Sequence, residues 1–480
     1  MSGHDSERQA SAPRGTARFQ APKGTRDFYP ADMAVRRHIE RAWREASIAH
    51  GFEEVDGPTF EHLELYTVKS GPGIVSELFS FRRQGGRDDY ALRPEFTPTL
   101  ARMVAARIAQ LPTPVKWFAM PSFFRAERPQ RGRLREFQQW NVDLLGAAGP
   151  RLDAEVIAVA VAALERLGLT ARDVRVRVSH RAVAARFVRA LGVPEARVAE
   201  AFDLLDRRDK LEPAEFRARA AALGLGDARM AEFEAAVRTA VPFAVEGRPT
   251  RLDGVEWVAR CGAEEAAQLA ALQTELLAAG LGAWCDLDLG IVRGLAYYTG
   301  TVFEIHEATG AERAIAGGGR YDGLIELFGG PATPAMGFGM GDVVLGLVLA
   351  ERGLLPADGA ELLPRPDAFV ISAGDEAAER ALPEVLALLR RAGLHARRSY
   401  KATRNVGKLL GEASRQRARC AVILGGESAG GRAQVKDLAA GEQRTVALTD
   451  LVACIRGMVA RAAEAPATPD APGPRAERST

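Results

Sequence analysis

The chain has 480 residues, 47% hydrophobic and 26% charged, which is enough for about two to four domains with a large core. Its formal net charge of +2 excludes a global field for nucleic acid, so any such partner must meet a local basic patch. Four cysteines (Cys261, Cys285, Cys420, Cys454) stand too far apart for a zinc or disulfide pattern, and no apolar run nears the ~18 residues of a membrane helix, so a reducing, cytoplasmic setting without a protein-held metal or a membrane span is expected.

Residues 1–18 are polar, lack an apolar stretch, and are expected to be a disordered tail rather than a secretory signal. Residues 21–30 read as irregular. Val35, Ile39, Trp43 and Ile48 then form the apolar stripe of a helix over about 31–50, stopped by Gly51. A short strand at 52–55 ends near Pro58. A second strand at 89–93 runs into Arg93-Pro94-Glu95-Phe96-Thr97-Pro98, where Thr97 and Pro98 suit the cap and first position of a helix. Glu95 thus falls between a strand end and a helix start. Carboxylates in such places either bind ligands or pair with a neighbour.

An apolar segment at 115–124 ends at Arg125. A turn follows with Pro129 and Gly132, crowded by Arg128, Arg131, Arg133 and Arg135, and the chain then becomes apolar again with Gln139 and Asp143 four apart. Two strands joined by an arginine-loaded loop fit this pattern. Such a hairpin either holds a polyphosphate or is a solvated basic surface. Asp153 is expected to cap an apolar helix reaching Leu167, with Gly168 closing it. Val174, Val176 and Val178 alternate with arginines as a strand.

Residues 194–279 are rich in Ala, Leu, Glu and Arg and read as a helical insertion, with Leu269, Leu272 and Leu276 on one helix face. Strands return at 284–289 and 301–306. Between them, in a glycine-flanked loop, Arg293, Tyr297 and Tyr298 offer one cation and two phenolic hydroxyls, or an aromatic pair buried for packing. Gly317-Gly318-Gly319-Arg320-Tyr321-Asp322-Gly323 reads as a glycine-rich loop but is no Walker loop, since no Gly-Lys-Ser/Thr follows. Gly337-Phe338-Gly339-Met340-Gly341-Asp342 enters an apolar helix. Prolines 356, 364 and 366 mark a linker, and beyond it strands and helices alternate as an α/β module, with Pro383 expected to kink or delay its first helix. Between Arg390 and Cys420 eight Arg and two Lys face one acid, Glu412. A block of that density suits phosphate-backbone contact, with a solvated helix face as the alternative.

Taken together these stretches resemble the histidyl-tRNA synthetase family of class II aminoacyl-tRNA synthetases, over about residues 22–458. The arginine hairpin resembles class II motif 2. Arg93-Pro94-Glu95-Phe96-Thr97 resembles the amino-acid-binding segment, and Arg293-Gly294-Leu295-Ala296-Tyr297-Tyr298 resembles the signature of the histidine enzymes. Pro58 stands where motif 1 carries its interface proline. The resemblance implies an α+β fold with a catalytic domain at 19–355, an antiparallel sheet flanked by helices. It also implies an insertion at about 194–279, a linker at 356–366, an α/β anticodon-binding domain at 367–462 and a tail at 463–480. It further implies a homodimer that forms histidyl-adenylate from L-histidine and ATP, with Mg²⁺ accompanying ATP, and passes the histidyl group to tRNA(His).

At matching positions, Arg125 and Arg293 would flank the reacting phosphate. Glu95 and Tyr298 would hydrogen-bond the imidazole, and Thr97, Gln139 and Asp143 would hold the α-amino group and neighbouring polar atoms, with Tyr297 beside them. Arg128 and Gln130 would approach the tRNA acceptor end, and Arg397, Arg398 and Lys401 the anticodon side. Three positions depart from the family pattern. Val344 stands where motif 3 carries an arginine for the ATP γ-phosphate, and losing one such charge-assisted contact costs about 1.5–3 kcal/mol. Asp143 replaces a common glutamate, and Ala296 a common aspartate. The missing motif 3 arginine leans toward a related histidine-sensing regulatory subunit of ATP phosphoribosyltransferase. The intact Arg125 hairpin and the basic C-terminal module lean more strongly toward the enzyme. Glu95, Arg125, Gln139 and Arg293 together also argue against a non-catalytic RNA-binding protein on the same scaffold.

Overall fold

The computed structural model describes residues 19–464 except 71, 208–210, 261, 293–296 and 357–358. The predicted tail at 1–18, most of that at 463–480, and the site residue Arg293 with its neighbour Ala296 therefore lie outside the described residues. The last helix, Leu451–Glu464, runs just past the expected domain end at 462. The chain divides into two compact units that part between Leu362 and Leu363.

The first unit is built on a 10-stranded sheet. Its order is Glu53–Glu54, Val115–Ala119, Glu136–Leu145, Ala335–Gly341, Ala316–Arg320, Thr301–Glu307, Val174–His180, Cys285–Leu287 and Val241–Pro242, with Ser122–Phe124 also paired to Glu136–Leu145. Pairing is antiparallel except where Glu53–Glu54 meets Val115–Ala119 and where Cys285–Leu287 meets Val174–His180. The long strand Glu136–Leu145 shows why the sheet has two different faces. Trp140, Val142 and Leu144 point into the main core, where Trp140 stacks 5.9 Å from Trp43 and donates to Ser47 Oγ. Gln139, Asn141 and Asp143, one residue out of phase, line a cavity on the other face. The helices Pro30–Ala49, Pro150–Arg166 and Ala263–Ala278 cover the apolar face in one layer. Leu269, Leu272 and Leu276 are buried, as their spacing predicts.

Several local expectations change. The apolar run at 115–124 is two strands, Val115–Ala119 and Ser122–Phe124, interrupted at Pro121, which has no N–H to give a ladder. Thr97 is not a cap: the helix Thr97–Arg107 has Phe96 at its N-cap and no side-chain cap bond. Nor does Asp153 cap its helix, which starts at Pro150 after Gly149 (φ 122°). Asp153 instead forms a buried ion pair with Arg320. The glycine-rich segment at 317–319 is not a loop but part of the strand Ala316–Arg320. The insertion contains the expected helices, and it also lends Val241–Pro242 to the edge of the main sheet. A separate three-stranded sheet (Phe60–His62, Asp89–Leu92, Ser80–Arg82) leaves Phe60 and Phe81 49% and 45% exposed.

The second unit has a five-stranded sheet in the order Ala396–Arg398, Ala368–Ser372, Cys420–Leu424, Arg432–Asp437, Gln443–Ala447. The first three strands are parallel, Arg432–Asp437 runs antiparallel to them, and Gln443–Ala447 returns antiparallel to Arg432–Asp437 as the second arm of a hairpin. Alternation again divides the residues: Ala368 and Val370 pack with Glu376–Arg391 and Leu451–Glu464, while Phe369 and Ile371 pack with Val406–Arg415. Asp375 and Asn405 cap the first and third of these helices by accepting from Ala378 N and Lys408 N. Pro383 lies inside Glu376–Arg391 without ending it, contrary to the expected late start.

Candidate active site

The polar face of the sheet carries two cavities that share a wall. The smaller, of about 100 Å³, is lined by Glu95, Thr97, Arg125, Gln139, Asn141, Asp143, Tyr297, Tyr298 and Tyr321 over a floor of Gly317, Gly337 and Gly339. Every described residue expected at the amino-acid site is therefore in one place, although 95–97, 139–143 and 297–298 are far apart in sequence. Strand geometry explains much of this. Gln139, Asn141 and Asp143 follow at i, i+2 and i+4, so all three project from one face. Register then sets Gly337 opposite Asp143 and Gly341 opposite Gln139. A Cβ on Gly337 would lie 2.1 Å from Asp143 Oδ1, and one on Gly339 2.2 Å from Gln139 Nε2. Gly337 and Gly339 have no side chain because Asp143 and Gln139 of the neighbouring strand lie across them.

Electrostatics differ around this cavity. Glu95 is paired with the buried Lys69 at 2.6 Å, and the Lys69 ammonium sits 4.1 Å from the Tyr297 ring centre. Glu95 is thus both a wall of the site and a member of an ion pair. Gln139 donates to Asn141 Oδ1 at 2.8 Å. Asp143 is fully enclosed, and burial pushes its carboxyl up to about 7, opposed by the hydroxyl of Tyr321, which donates to it. Burial and the adjacent Asp143 together raise the Tyr321 phenol well above its usual range. Tyr297 packs 4.6 Å from Tyr298 and edge-on to Tyr321, so the aromatic pair is both packing and lining.

The larger cavity, of about 720 Å³, also borders Arg125, Gln139, Gly317 and Gly339, and continues past Arg133, Arg313 and Val344. Arg125 stands at the junction. Its Nε donates to Pro94 O at 3.3 Å, and its guanidinium lies 5.0 Å from the Phe137 ring centre. Burial lowers its pKa, and Glu95 and Glu127 oppose that fall without forming a direct ion pair with it. A desolvated cation with few contacts of its own is ready to meet an anion.

The hairpin loop turns back on itself through paired backbone bonds between Gln130 and Arg133. Arg128 and Gln130 are exposed at its tip. Arg133 pairs with Glu127, and Arg131 bridges Glu312 and Glu351. Val344 lies in the first turn of Asp342–Glu351 against the larger cavity, while Asp342 accepts from Gln138 N and pairs with Arg26. In the second unit, Arg397 is exposed in the middle of Ala396–Arg398 and donates to His395 Nε2. Arg398 lies over the Tyr400 ring, and Lys401 is 3.4 Å from Glu412. Tyr400 is 81% exposed.

Sequence reasoning missed Asn141, Tyr321, Lys69 and Arg313. Asn141 could have been found from the two-residue period between Gln139 and Asp143. Tyr321 and Lys69 carry no local signal. Among the described residues no cluster of three His, Cys, Asp or Glu side chains could hold a metal, and no helix is long and apolar enough to cross a membrane.

A histidyl-tRNA synthetase family model matches residues 24–341, and an anticodon-binding domain model matches 367–458. The chain is 41% identical to a histidine–tRNA ligase of Opitutus terrae over 376 residues, 78% of this chain and 83% of that one. It is 40% identical to a histidine–tRNA ligase of Halobacterium salinarum over 432 residues, 88% and 94% of the two chains. Its fold is similar to that of a histidyl-tRNA synthetase from Nostoc sp. PCC 7120, with a TM-score of 0.73 at 24% identity, covering 92% of this chain and 99% of the other. The chain belongs to the histidyl-tRNA synthetase family, whose enzymes consume ATP.

Proposed function

We propose that the smaller cavity takes L-histidine, that the larger takes ATP, and that the two substrates react where the cavities meet. The observation that carries this reading is the position of Arg125, which lines both cavities and, among the described residues, forms no ion pair. A histidine carboxylate oxygen attacks the α-phosphorus of ATP. The bond from that phosphorus to the bridging oxygen breaks, and pyrophosphate leaves with the electron pair. Arg125 neutralises the α-phosphate during this displacement, with Arg293 on its other side. A hydroxyl of the 3′-terminal ribose of tRNA(His) then attacks the carbonyl carbon of the adenylate; the bond from that carbon to the phosphate oxygen breaks, AMP leaves with the electron pair, and the hydroxyl proton is released.

Within the smaller cavity, Glu95 and Tyr298 hydrogen-bond the imidazole, while Asp143, Gln139 and Thr97 hold the α-amino group and its neighbours, with Tyr297 alongside. A pocket that hydrogen-bonds both ring nitrogens rejects apolar isosteres by roughly 10⁴ or more. Mg²⁺ would accompany ATP and neutralise its adjacent phosphates, and the Glu304 carboxylate on the wall of the larger cavity is the group that would hold it on exchanging His306 for the ion. Arg128 and Gln130, exposed on the loop, meet the tRNA acceptor end, and Arg397, Arg398 and Lys401 meet its anticodon side. Two copies of the chain associate as a homodimer through the small sheet next to Pro58, and unbridged Cys285, Cys420 and Cys454 suit a reducing cytoplasm.

Histidine-dependent exchange of pyrophosphate into ATP tests the assignment. Exchange that requires histidine is expected. Histidine binding without exchange would instead support the histidine-sensing regulatory function.

A further inference from the structure

The larger cavity contains a cation that the reaction as described leaves without a task. Arg313 sits on the turn between Thr301–Glu307 and Ala316–Arg320 and lines that cavity. Among the described residues it forms no ion pair or hydrogen bond. The acids near it are engaged elsewhere: Glu127 with Arg133, Glu312 with Arg131, and Glu304 with His306. Burial and the facing Arg133 both lower its pKa. Two guanidinium groups across a half-buried cavity, one of them without an acid, repel each other until an anion lies between them.

Position matters as much as charge. A Cβ on Gly132 would lie 3.3 Å from Val344 Cγ2 and 3.6 Å from Arg313 Cδ, so the Arg313 side chain passes beside Val344. Val344 offers only methyl groups to a phosphate. Gly132, at φ 73°, belongs in a backbone region that side chains rarely adopt, and its missing side chain keeps this gap open. The turn is also held in place, because Glu312, directly before Arg313, is buried and paired with Arg131 of the hairpin loop. A cation on an anchored turn needs little reorganisation to meet a ligand.

We propose that Arg313 binds the terminal phosphate of ATP, supplying from the turn at 308–315 the charge that Val344 cannot supply from its helix. This rests on the reading of the larger cavity as the ATP site. As pyrophosphate departs, Arg313 stays on its outer phosphate and steadies the leaving group.

Arg313→Ala and Arg313→Lys test this by histidine-dependent exchange and by calorimetric titration with ATP and ADP. Arg313→Ala should raise the KM for ATP by about 10- to 100-fold and leave the KM for histidine within about twofold. Its affinity for ATP should fall while that for ADP holds, and Arg313→Lys should recover part of the loss. An unchanged KM for ATP, or equal weakening of ATP and ADP, would overturn the assignment. The titrations stand even for protein that shows no exchange, so failure of the ligase reading and failure of Arg313 are separate results.

Discussion

At the scale of single residues, Asp143 is the most unusual group in the smaller cavity. Its carboxyl is fully enclosed and raised from 3.8 to about 7. Between those values the native protein holds a proton that the unfolded chain has released. Stability therefore falls as pH rises through this window, by on the order of a few kcal/mol, and is level above it. Asp143→Asn removes the ionisation, so its stability relative to wild type should increase from pH 5 to pH 7.5. Urea unfolding of both proteins across that range measures the difference. Parallel profiles would mean that Asp143 is already charged in the ligand-free fold. On the proposed reading, a cationic α-amino group would draw the proton away, so the same carboxyl that opposes folding near neutrality would serve as its partner. Asp143 was legible in the sequence through its four-residue spacing from Gln139. Its enclosure was not, because Tyr321 and Gly337 reach it only through the fold.

At the scale of elements, the hairpin and the basic module were read from charge, with different success. Arginines between two apolar runs revealed the hairpin. They did not reveal that Arg131 and Arg133 are bound to acids while Arg125 faces the cavities: Arg131 pairs with Glu312 and Glu351 far along the chain, and Arg133 meets Glu127 only because the loop folds back on itself. The caps assigned to Thr97 and Asp153 also failed: Pro98 lies in the first turn of its helix as expected, but the second helix starts at Pro150, before Asp153, and tertiary pairing takes Asp153 to Arg320. In the second unit, Arg397, Arg398 and Lys401 follow one another out of the edge strand Ala396–Arg398 toward the exposed Tyr400. Phosphate contacts release counter-ions, so neutralising all three should weaken tRNA binding and make its dependence on salt shallower, by about one unit of log–log slope per lost contact. Filter binding from low to high salt checks this. An unchanged slope would make the block a solvated surface.

For the whole molecule, the question is what covers the aromatic face of the small sheet. Phe60, Phe81 and Tyr90 form a cluster with ring centres 5.6 to 5.8 Å apart, and the first two remain about half exposed. An apolar patch next to Pro58 suits a second copy of the chain. Sedimentation should give about twice the 51.6 kDa of one chain, and Phe60→Glu with Phe81→Glu should shift it toward a single chain. A wild-type monomer at micromolar concentration would refute the dimer. The two-unit organisation was visible from the prolines at 356, 364 and 366. The two parallel pairings of the main sheet were not, because periodicity says which face is buried but not which neighbour runs alongside.

The glycine floor beneath the smaller cavity has an evolutionary consequence. Most pockets can drift, because a lining side chain can be exchanged for one a little larger or smaller. Here the space over Gly337 and Gly339 already belongs to Asp143 and Gln139, so neither position can be enlarged without displacing the residue above it. Neither can be made smaller than glycine. Ligand preference can therefore change from the walls, through residues such as Glu95 and Tyr298, while Gly337 and Gly339 are closed to stepwise adaptation in both directions.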